Sequence, residues 1–469
     1  MKTRNEISRK IAIIGGGVSG VLTAFHLIRQ GTPAEIVLID QRQDLGLGLA
    51  YSTPSLRHLL NVPAGKISAL PDQPDHFLNW LQRNFDPSAT EKTFAPRAVF
   101  GRYVQSLLAT VSDIRVLQAQ VTDVRPQQSG ALIILNDDRK VHADFVVLAT
   151  GNFDPAPLPG ISKEAVLHDR YHHNAWSENT YRGLPKDAPI AIIGTGLTGV
   201  DVVLRLRELG HAGKIIAVSR HGIFPNGHQD YTPMQQSAIP LNTAPTAIAY
   251  LRSLRNAIRA GAEWRAAVDS LRATTNQLWQ RLPLNEQKRF RRHLQRRWDV
   301  VRHRMAPSIA AIIEAEISNG TLEIREGRLA GVDASTNGAH VSVHDHNGTY
   351  SFEVNRVINC TGPSMNYRRV QSELMRSLFD RGLASPGPLG GGFHCTADGA
   401  LIGANGVASD VIYNLGPGRL GDLIESIAVP EIRQQAADLA KTLNARLDTL
   451  ADQEDRAALK EREAEWVAA

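Results

Sequence analysis

Short apolar runs punctuate this chain, and two of them end at a cluster of glycines. Residues 11–14 run into Gly15-Gly16-Gly17-Val18-Ser19-Gly20, and residues 190–193 run into Gly194-Thr195-Gly196-Leu197-Thr198-Gly199. A continuous apolar run of this length predicts a buried strand, and the glycines after it predict a tight turn into a helix. The downstream order then repeats. After the first cluster come an apolar run closed by Asp40 (36–40), a strand-like stretch (114–124), an alternating stretch (131–138), and a run ending in Ala149-Thr150-Gly151. After the second come 214–220, 322–332, 341–345, and a run ending in Cys360-Thr361-Gly362. The topology repeats while the sequence does not.

Other segments break the pattern. The proline-rich stretch 154–160 can continue neither strand nor helix. Over 240–317 the apolar residues fall at helical spacing, as in Ala247, Tyr250, Leu251 and Leu254, or Val268 and Leu271. Strands resume near Leu322, and two more are expected near 400–403 and 411–415, with a loop at 387–392. A helix is expected from about Asp422, then an amphipathic helical tail over 430–469 with a frayed last third. The fold class is α/β: two Rossmann-like dinucleotide-binding domains with a helical insertion in the second. Residues 1–165 and 363–469 form the expected FAD-binding domain. Residues 166–239 and 318–362 form the NADPH-binding domain, and 240–317 the insertion.

Each fingerprint suits a pyrophosphate. The first glycine permits the turn, the second lets backbone approach the anion, and the third lets helix pack on strand; the helix start offers unpaired N–H groups. Two such sites in one chain suggest a flavin and a nicotinamide with electrons moving between them. Gly15, Gly17 and Gly20 are assigned to FAD, with Asp40 suited to a ribose hydroxyl. Gly194, Gly196 and Gly199 are assigned to the nicotinamide cofactor. Arg220 stands in the second unit where Asp40 stands in the first. A guanidinium there pairs with a 2′-phosphate, so NADPH is expected over NADH.

Composition removes several alternatives. With 42% hydrophobic and 21% charged residues over 469 positions, the chain has ample core for two or three domains. No apolar run is long enough for a membrane span, and residues 1–10 are polar with no apolar signal region, so a cytoplasmic location is expected. The two cysteines, Cys360 and Cys395, form no closely spaced pair, which argues against a flavin-disulfide reductase. No metal motif is present among the histidines. The net charge of +5 is uneven: Lys288, Arg289, Arg291, Arg292, Arg296, Arg297, Arg302 and Arg304 face one acid, Asp299. Without a recognition motif this reads as a solvated face or the lining of an anionic cofactor or substrate site, and no nucleic acid is expected.

The motifs also carry a resemblance. Ala149-Thr150-Gly151-Asn152 with Pro157-Leu158-Pro159-Gly160 resembles the hinge of the two-dinucleotide flavoprotein monooxygenases, which include flavin-containing monooxygenases, Baeyer–Villiger enzymes and amine N-hydroxylases. His172 and Trp176 stand where Baeyer–Villiger enzymes carry a motif ending His-x-x-x-Trp, but Val166 and His168 stand where Phe and Gly would be. Asn61, followed by Pro71-Asp72, resembles the asparagine that flavin-containing monooxygenases hold near the flavin's reactive edge. The stretch 46–52, with Asn61-Val62-Pro63, 75–81, 298–304 and 416–430, is similar to a bacterial FAD/NAD(P)-binding family that includes amino-acid N-hydroxylating, nitrosuccinate-forming members.

That resemblance implies FAD and NADPH as cofactors, a flavin C4a-(hydro)peroxide, and N-hydroxylation of a small amine or amino acid by molecular oxygen. It implies a catalytic role for Asn61. It adds Gly48, Val121, Thr150, Gly151, His172, Trp176, Thr361, Gly362, Gly416 and Leu420 as cofactor contacts, with no metal and no membrane partner. Oligomeric state is left open. Three other readings stand beside it: a Baeyer–Villiger or S-oxygenating enzyme, an NADPH-dependent flavin oxidase or reductase without oxygen insertion, and a non-catalytic FAD-dependent protein.

Overall fold

The repeated pattern folds into two units built alike. The computed structural model describes residues 9–468, so the polar residues 1–8 and the location read from them lie outside it. In the first unit, β1 (Lys10–Ile14), β2 (Glu35–Asp40) and β3 (Ile114–Gln118) are followed by β4 (Val121–Pro126), β5 (Ala131–Leu135) and β6 (Lys140–Ala143), then β7 (Phe145–Leu148). In the second, β8 (Tyr171–His172), β9 (Ile190–Ile193), β10 (Ile215–Ser219) and β11 (Leu322–Glu326) precede β12 (Arg328–Ser335), β13 (Gly338–Asp345) and β14 (Gly348–Val354), then β15 (Arg356–Asn359). The chain returns as β16 (Ala400–Ile402) and β17 (Ala408–Asn414). The larger sheets have the orders β16-β17-β7-β1-β2-β3 and β11-β10-β9-β15-β8. The pairs β1·β2, β1·β7, β9·β10 and β9·β15 are parallel. The sets β4-β5-β6 and β12-β13-β14 form small antiparallel sheets, each inserted before the strand that ends at the Thr-Gly hinge.

Strand alternation divides each unit into two cores. Ile11 and Ile13 face the helix Val18–Arg29 and the aromatic cluster of Phe77, Phe100 and Tyr103, whereas Ala12 and Ile14 face the small sheet at Val124 and Ile133. In the second unit Ile190 and Ile192 face the helix Leu197–Glu208, and Ala191 and Ile193 face Val341 and Val343. Both central strands are thus apolar on both faces, which is why they read as unbroken runs.

Three expectations need correction. The stretch 114–124 is two strands: it breaks at Ala119-Gln120, and its halves enter different sheets. The stretch 322–332 breaks likewise at Gly327. No helix starts at Asp422. Gly416–Gly421 is a 3-10 turn, the N–H groups of Ile424 and Glu425 donate to Asn276 Oδ1 of the insertion, and the long helix begins at Val429. That helix then runs to Ala468, with Leu439 and Leu443 in the first core and Leu459 and Trp466 exposed. One boundary also shifts. The helix Pro307–Ser318, expected in the insertion, buries Ile309 and Ile313 in the second unit's core. The rest of the insertion has a core of its own around Tyr250, Leu271, Leu278 and Trp279.

A buried ion pair joins the units. Arg97 donates from both Nη atoms to the Asp201 carboxylate (2.8 and 3.1 Å), with side chains only 14% and 6% exposed. His58 Nε2 donates to the Asp201 carbonyl at 2.9 Å, and Nδ1 accepts from Thr53 Oγ1. Burial lowers the His58 pKa and keeps the ring neutral, as that arrangement requires. Removing one partner of such a pair leaves the other charge buried and alone. Arg97→Ala should therefore lose about 3 kcal/mol of stability in urea titration. Adding Asp201→Asn should restore part of it; equal or additive losses would show that the pair is not coupled.

Candidate functional site

The two glycine turns share one geometry. Gly15 and Gly194 have φ of 111° and 115°, which favours glycine. A Cβ on Gly15 would collide with the Ala149 carbonyl oxygen, and one on Gly194 would stand 2.5 Å from that of Cys360. A Cβ on Gly20 would collide with the Gly15 carbonyl oxygen, and one on Gly199 would stand 2.5 Å from that of Gly194. First and third glycines are therefore required by the fold. The middle ones are not. A Cβ on Gly17 would meet only Gly48, at 3.4 Å, and one on Gly196 would meet nothing within 4 Å. This open ground lies before two helix starts that no side chain caps, so their first N–H groups are free for an anion. A pyrophosphate fits both cradles.

Around the first turn the structure gathers segments far apart in sequence. Gly48, at φ 53°, lies against Gly17, and the Gly46 N–H donates to the Gly16 carbonyl at 2.7 Å. Gly416, at φ 74°, lies against Ser19 of the fingerprint, and its N–H donates to Gln435 Oε1 at 2.8 Å. Leu420 lies in the same 3-10 turn. Thr150 and Gly151 follow the Ala149 carbonyl, with Gly151 at φ 71° and open on its Cβ side. Val121 buries its side chain in the core, which leaves only its backbone to a ligand. The Asp40 carboxylate accepts from the N–H groups of Gly16 (2.6 Å) and Arg42 (2.8 Å). It braces the turn, and a carboxylate has lone pairs left for a ribose hydroxyl.

The second turn has an arginine that sequence reading left within a basic run. Arg296, on the helix Gln295–Arg302, donates from Nη2 to the Thr195 carbonyl and to Thr195 Oγ1, both at 3.1 Å, and to the Ile223 carbonyl. Burial lowers its pKa, and Arg220 acts in the same direction while Asp299 opposes it. Two cations thus stand at this turn, Arg220 exposed at the end of β10. At the hinge, Thr361 donates from N–H and Oγ1 to Asn359 Oδ1 (3.1 and 2.7 Å), and Gly362 has φ 84°. His172 and Trp176 part company. His172 is buried in β8 with Nε2 at 3.0 Å from Asp169, its pKa lowered by burial and then by Arg356. Trp176 lies edge-on to His58 at the junction of the units.

Asn61 is half-buried in the loop after 60. Its carbonyl accepts from His228 Nε2 at 3.0 Å, and its side-chain amide has no hydrogen bond among the described residues. Burial, and then the charge of Arg304, push the His228 pKa down to about 4, so the ring is a neutral donor at ordinary pH. Arg304 is fully buried. Its Nη2 meets Asp269 Oδ1 at 2.5 Å, while Nε and Nη1 have no partner. Burial pushes Asp269 up, but Arg272, Arg304 and the Tyr231 hydroxyl outweigh it and hold the carboxyl at about 2. The Arg304 guanidinium lies by the Tyr231 and Trp264 rings, 6.0 and 5.9 Å from their centroids. A cavity of about 930 Å³ brings Val62 and Lys66 together with Arg419 and Gln435 of the late segment and Arg272 and Asn276 of the insertion.

Known proteins resemble this arrangement. A family profile described as FAD-NAD(P)-binding matches residues 12–153. The chain is 26% identical over 242 residues to the uncharacterized protein YdhS of Escherichia coli strain K12, covering 47% of this chain and 43% of that protein. It is 28% identical over 218 residues to the Baeyer-Villiger monooxygenase ATR8 of Stachybotrys chlorohalonatus, covering 44% and 33%. The matched stretch therefore spans less than half the length of either relative. Among solved structures, the ornithine N-hydroxylase of Kutzneria sp. 744 superposes with a TM-score of 0.65 at 13% identity, over 94% of this chain and 99% of that one. No described helix is long and apolar enough to cross a membrane. Residues 12–153 thus match an FAD-NAD(P)-binding family, and the chain as a whole has the fold of that ornithine N-hydroxylase structure.

Proposed function

We propose that this chain is an FAD- and NADPH-dependent monooxygenase that N-hydroxylates a small amine or amino acid. One observation carries the reading: two glycine cradles of matched geometry, each with an open middle glycine, in one chain. Cysteine chemistry supports it against a dithiol relay. Cys360 and Cys395 are buried in different cores, and burial raises both thiols, Cys395 to about 12. Bound FAD would supply electron transfer to molecular oxygen, with electrons from NADPH.

The chain's own residues bind and orient. The backbone at Gly15, Gly17 and Gly20, with Asp40, Gly48, Gly416 and Leu420, would hold FAD. Gly194, Gly196 and Gly199 would hold the NADPH pyrophosphate, with Arg220 and Arg296 on its phosphates. Asn61 would direct the transferred oxygen through its free amide. The balance is amine, oxygen, NADPH and a proton to hydroxylamine, NADP⁺ and water.

Losing one charge-assisted phosphate contact costs about 1.5–3 kcal/mol. Arg220→Ala should therefore raise the NADPH Michaelis constant at least about tenfold and leave NADH nearly unchanged. Equal small changes for both cofactors would remove Arg220 from the site. The reading as a whole is tested with a panel of amines. The right amine should suppress hydrogen peroxide release and yield hydroxylamine. Turnover should rise with pH through the amine's own pKa, because the attacking nitrogen must be neutral, while His228, its pKa pushed down to about 4, stays neutral over that range. The similarity to a Baeyer-Villiger monooxygenase favours a second reading. It replaces the first if the amines fail and a ketone or thioether is oxygenated stoichiometrically.

A further inference from the structure

The helical insertion contains a cavity of about 220 Å³, separate from the one lined by Val62 and Lys66. Its walls are almost wholly apolar: Tyr250, Leu254, Leu271, Trp279, Phe290 and Trp298. Protein interiors are normally packed without voids larger than a water molecule. An apolar cavity of about 150 Å³ stays dry and takes up benzene. This one is larger, and its lining has too few polar atoms to hold an ordered cluster of water.

Two charged side chains complete the lining, Arg255 and Arg297. Both are exposed, and neither has an ion-pair partner among the described residues. The site therefore joins an apolar chamber to two unneutralised guanidinium groups. That combination matches an amphipathic anion, whose tail loses water in the chamber while its head meets the arginines at the surface.

We propose that the insertion holds a second small-molecule site, for a medium-chain carboxylate with an apolar tail of about eight carbons. The site is distinct from both glycine cradles and from the cavity lined by Val62 and Lys66. Trp298 and Val301 of the helix Gln295–Arg302 form part of its wall, and the same helix carries Arg296 to the second glycine turn. Ile424 closes it from the late segment.

Calorimetry and thermal shift of the full chain with octanoate test this, with acetate and octanol as controls. Octanoate should bind saturably at one molecule per chain and raise the melting temperature. Acetate should do neither, and octanol should bind about tenfold more weakly than octanoate. Leu254→Trp should fill the chamber and abolish octanoate binding. Should that variant not fold, the surface double substitution Arg255→Ala with Arg297→Ala remains as a probe and should weaken octanoate about tenfold. No saturable binding to the wild-type chain overturns the proposal. So does octanoate affinity unchanged in Leu254→Trp, or unchanged in the double arginine variant. Equal affinity for octanol and octanoate overturns the assignment of a carboxylate.

Discussion

Gly17→Val is expected to give folded, colourless protein, whereas Gly20→Ala should give little folded protein at all. Both glycines belong to one fingerprint, and sequence alone treats them alike. The structure separates them. Gly17 has φ −74° and ψ −169°, an extended conformation that a β-branched residue adopts readily. Its Cβ would meet only the backbone of Gly48, at ordinary contact distance. The fold should tolerate the change, but the new side chain fills the ground in front of the helix N–H groups. Flavin affinity should fall at least about a hundredfold, the effect of losing several charge-assisted contacts at once. At Gly20 the Cβ would collide with the Gly15 carbonyl, and neither backbone can move without separating strand from helix. Absorbance at the flavin band after reconstitution, with circular dichroism for the fold, reads both variants. A yellow Gly17→Val protein would place FAD elsewhere.

The second large effect is expected at Asn61. Its side-chain amide makes no hydrogen bond within the described chain, so Asn61→Ala should cost stability no more than about 0.5 kcal/mol. Any larger functional loss then belongs to the reaction. Reduction of the flavin by NADPH should be unchanged, because that step depends on the second cradle. Hydroxylamine formed per NADPH should fall at least about tenfold, and hydrogen peroxide should rise to make up the difference. Gln in place of Asn keeps the amide but displaces it, and should recover only part of the coupling. Unchanged coupling in Asn61→Ala would show that the amide has no part in directing oxygen.

How far the sequence could be read follows from how local each signal is. The glycine turns were legible because their cause is local: a strand, a turn needing positive φ, and a helix start lie within ten residues. The central strands were legible because both their faces are buried. The break at Ala119-Gln120 was not, because an apolar pattern does not say that consecutive residues pair in different sheets. The missing helix at Asp422 depends on Asn276, far away in sequence, which takes the N–H groups a helix would use. The same limit applies to charge. A run of eight basic residues from Lys288 to Arg304 reads as one feature. Only the fold assigns Arg296 to the second glycine turn, Arg304 to a buried pair with Asp269, and Arg302 to one with Glu425 at 3.2 Å. Nor does either sequence neighbourhood announce that Arg97 and Asp201 join the two units.

The most direct test of the monooxygenase reading traces the oxygen atom. The reconstituted protein is turned over with NADPH and a panel of amino acids and small amines under isotopically labelled oxygen gas, and the products are resolved by mass spectrometry. The expected result is a hydroxylamine carrying one labelled oxygen atom from the gas, formed in step with NADPH consumed. NADPH consumption that ends wholly in labelled hydrogen peroxide with every amine, or label appearing only in an ester or sulfoxide when ketones and thioethers are offered, would contradict it.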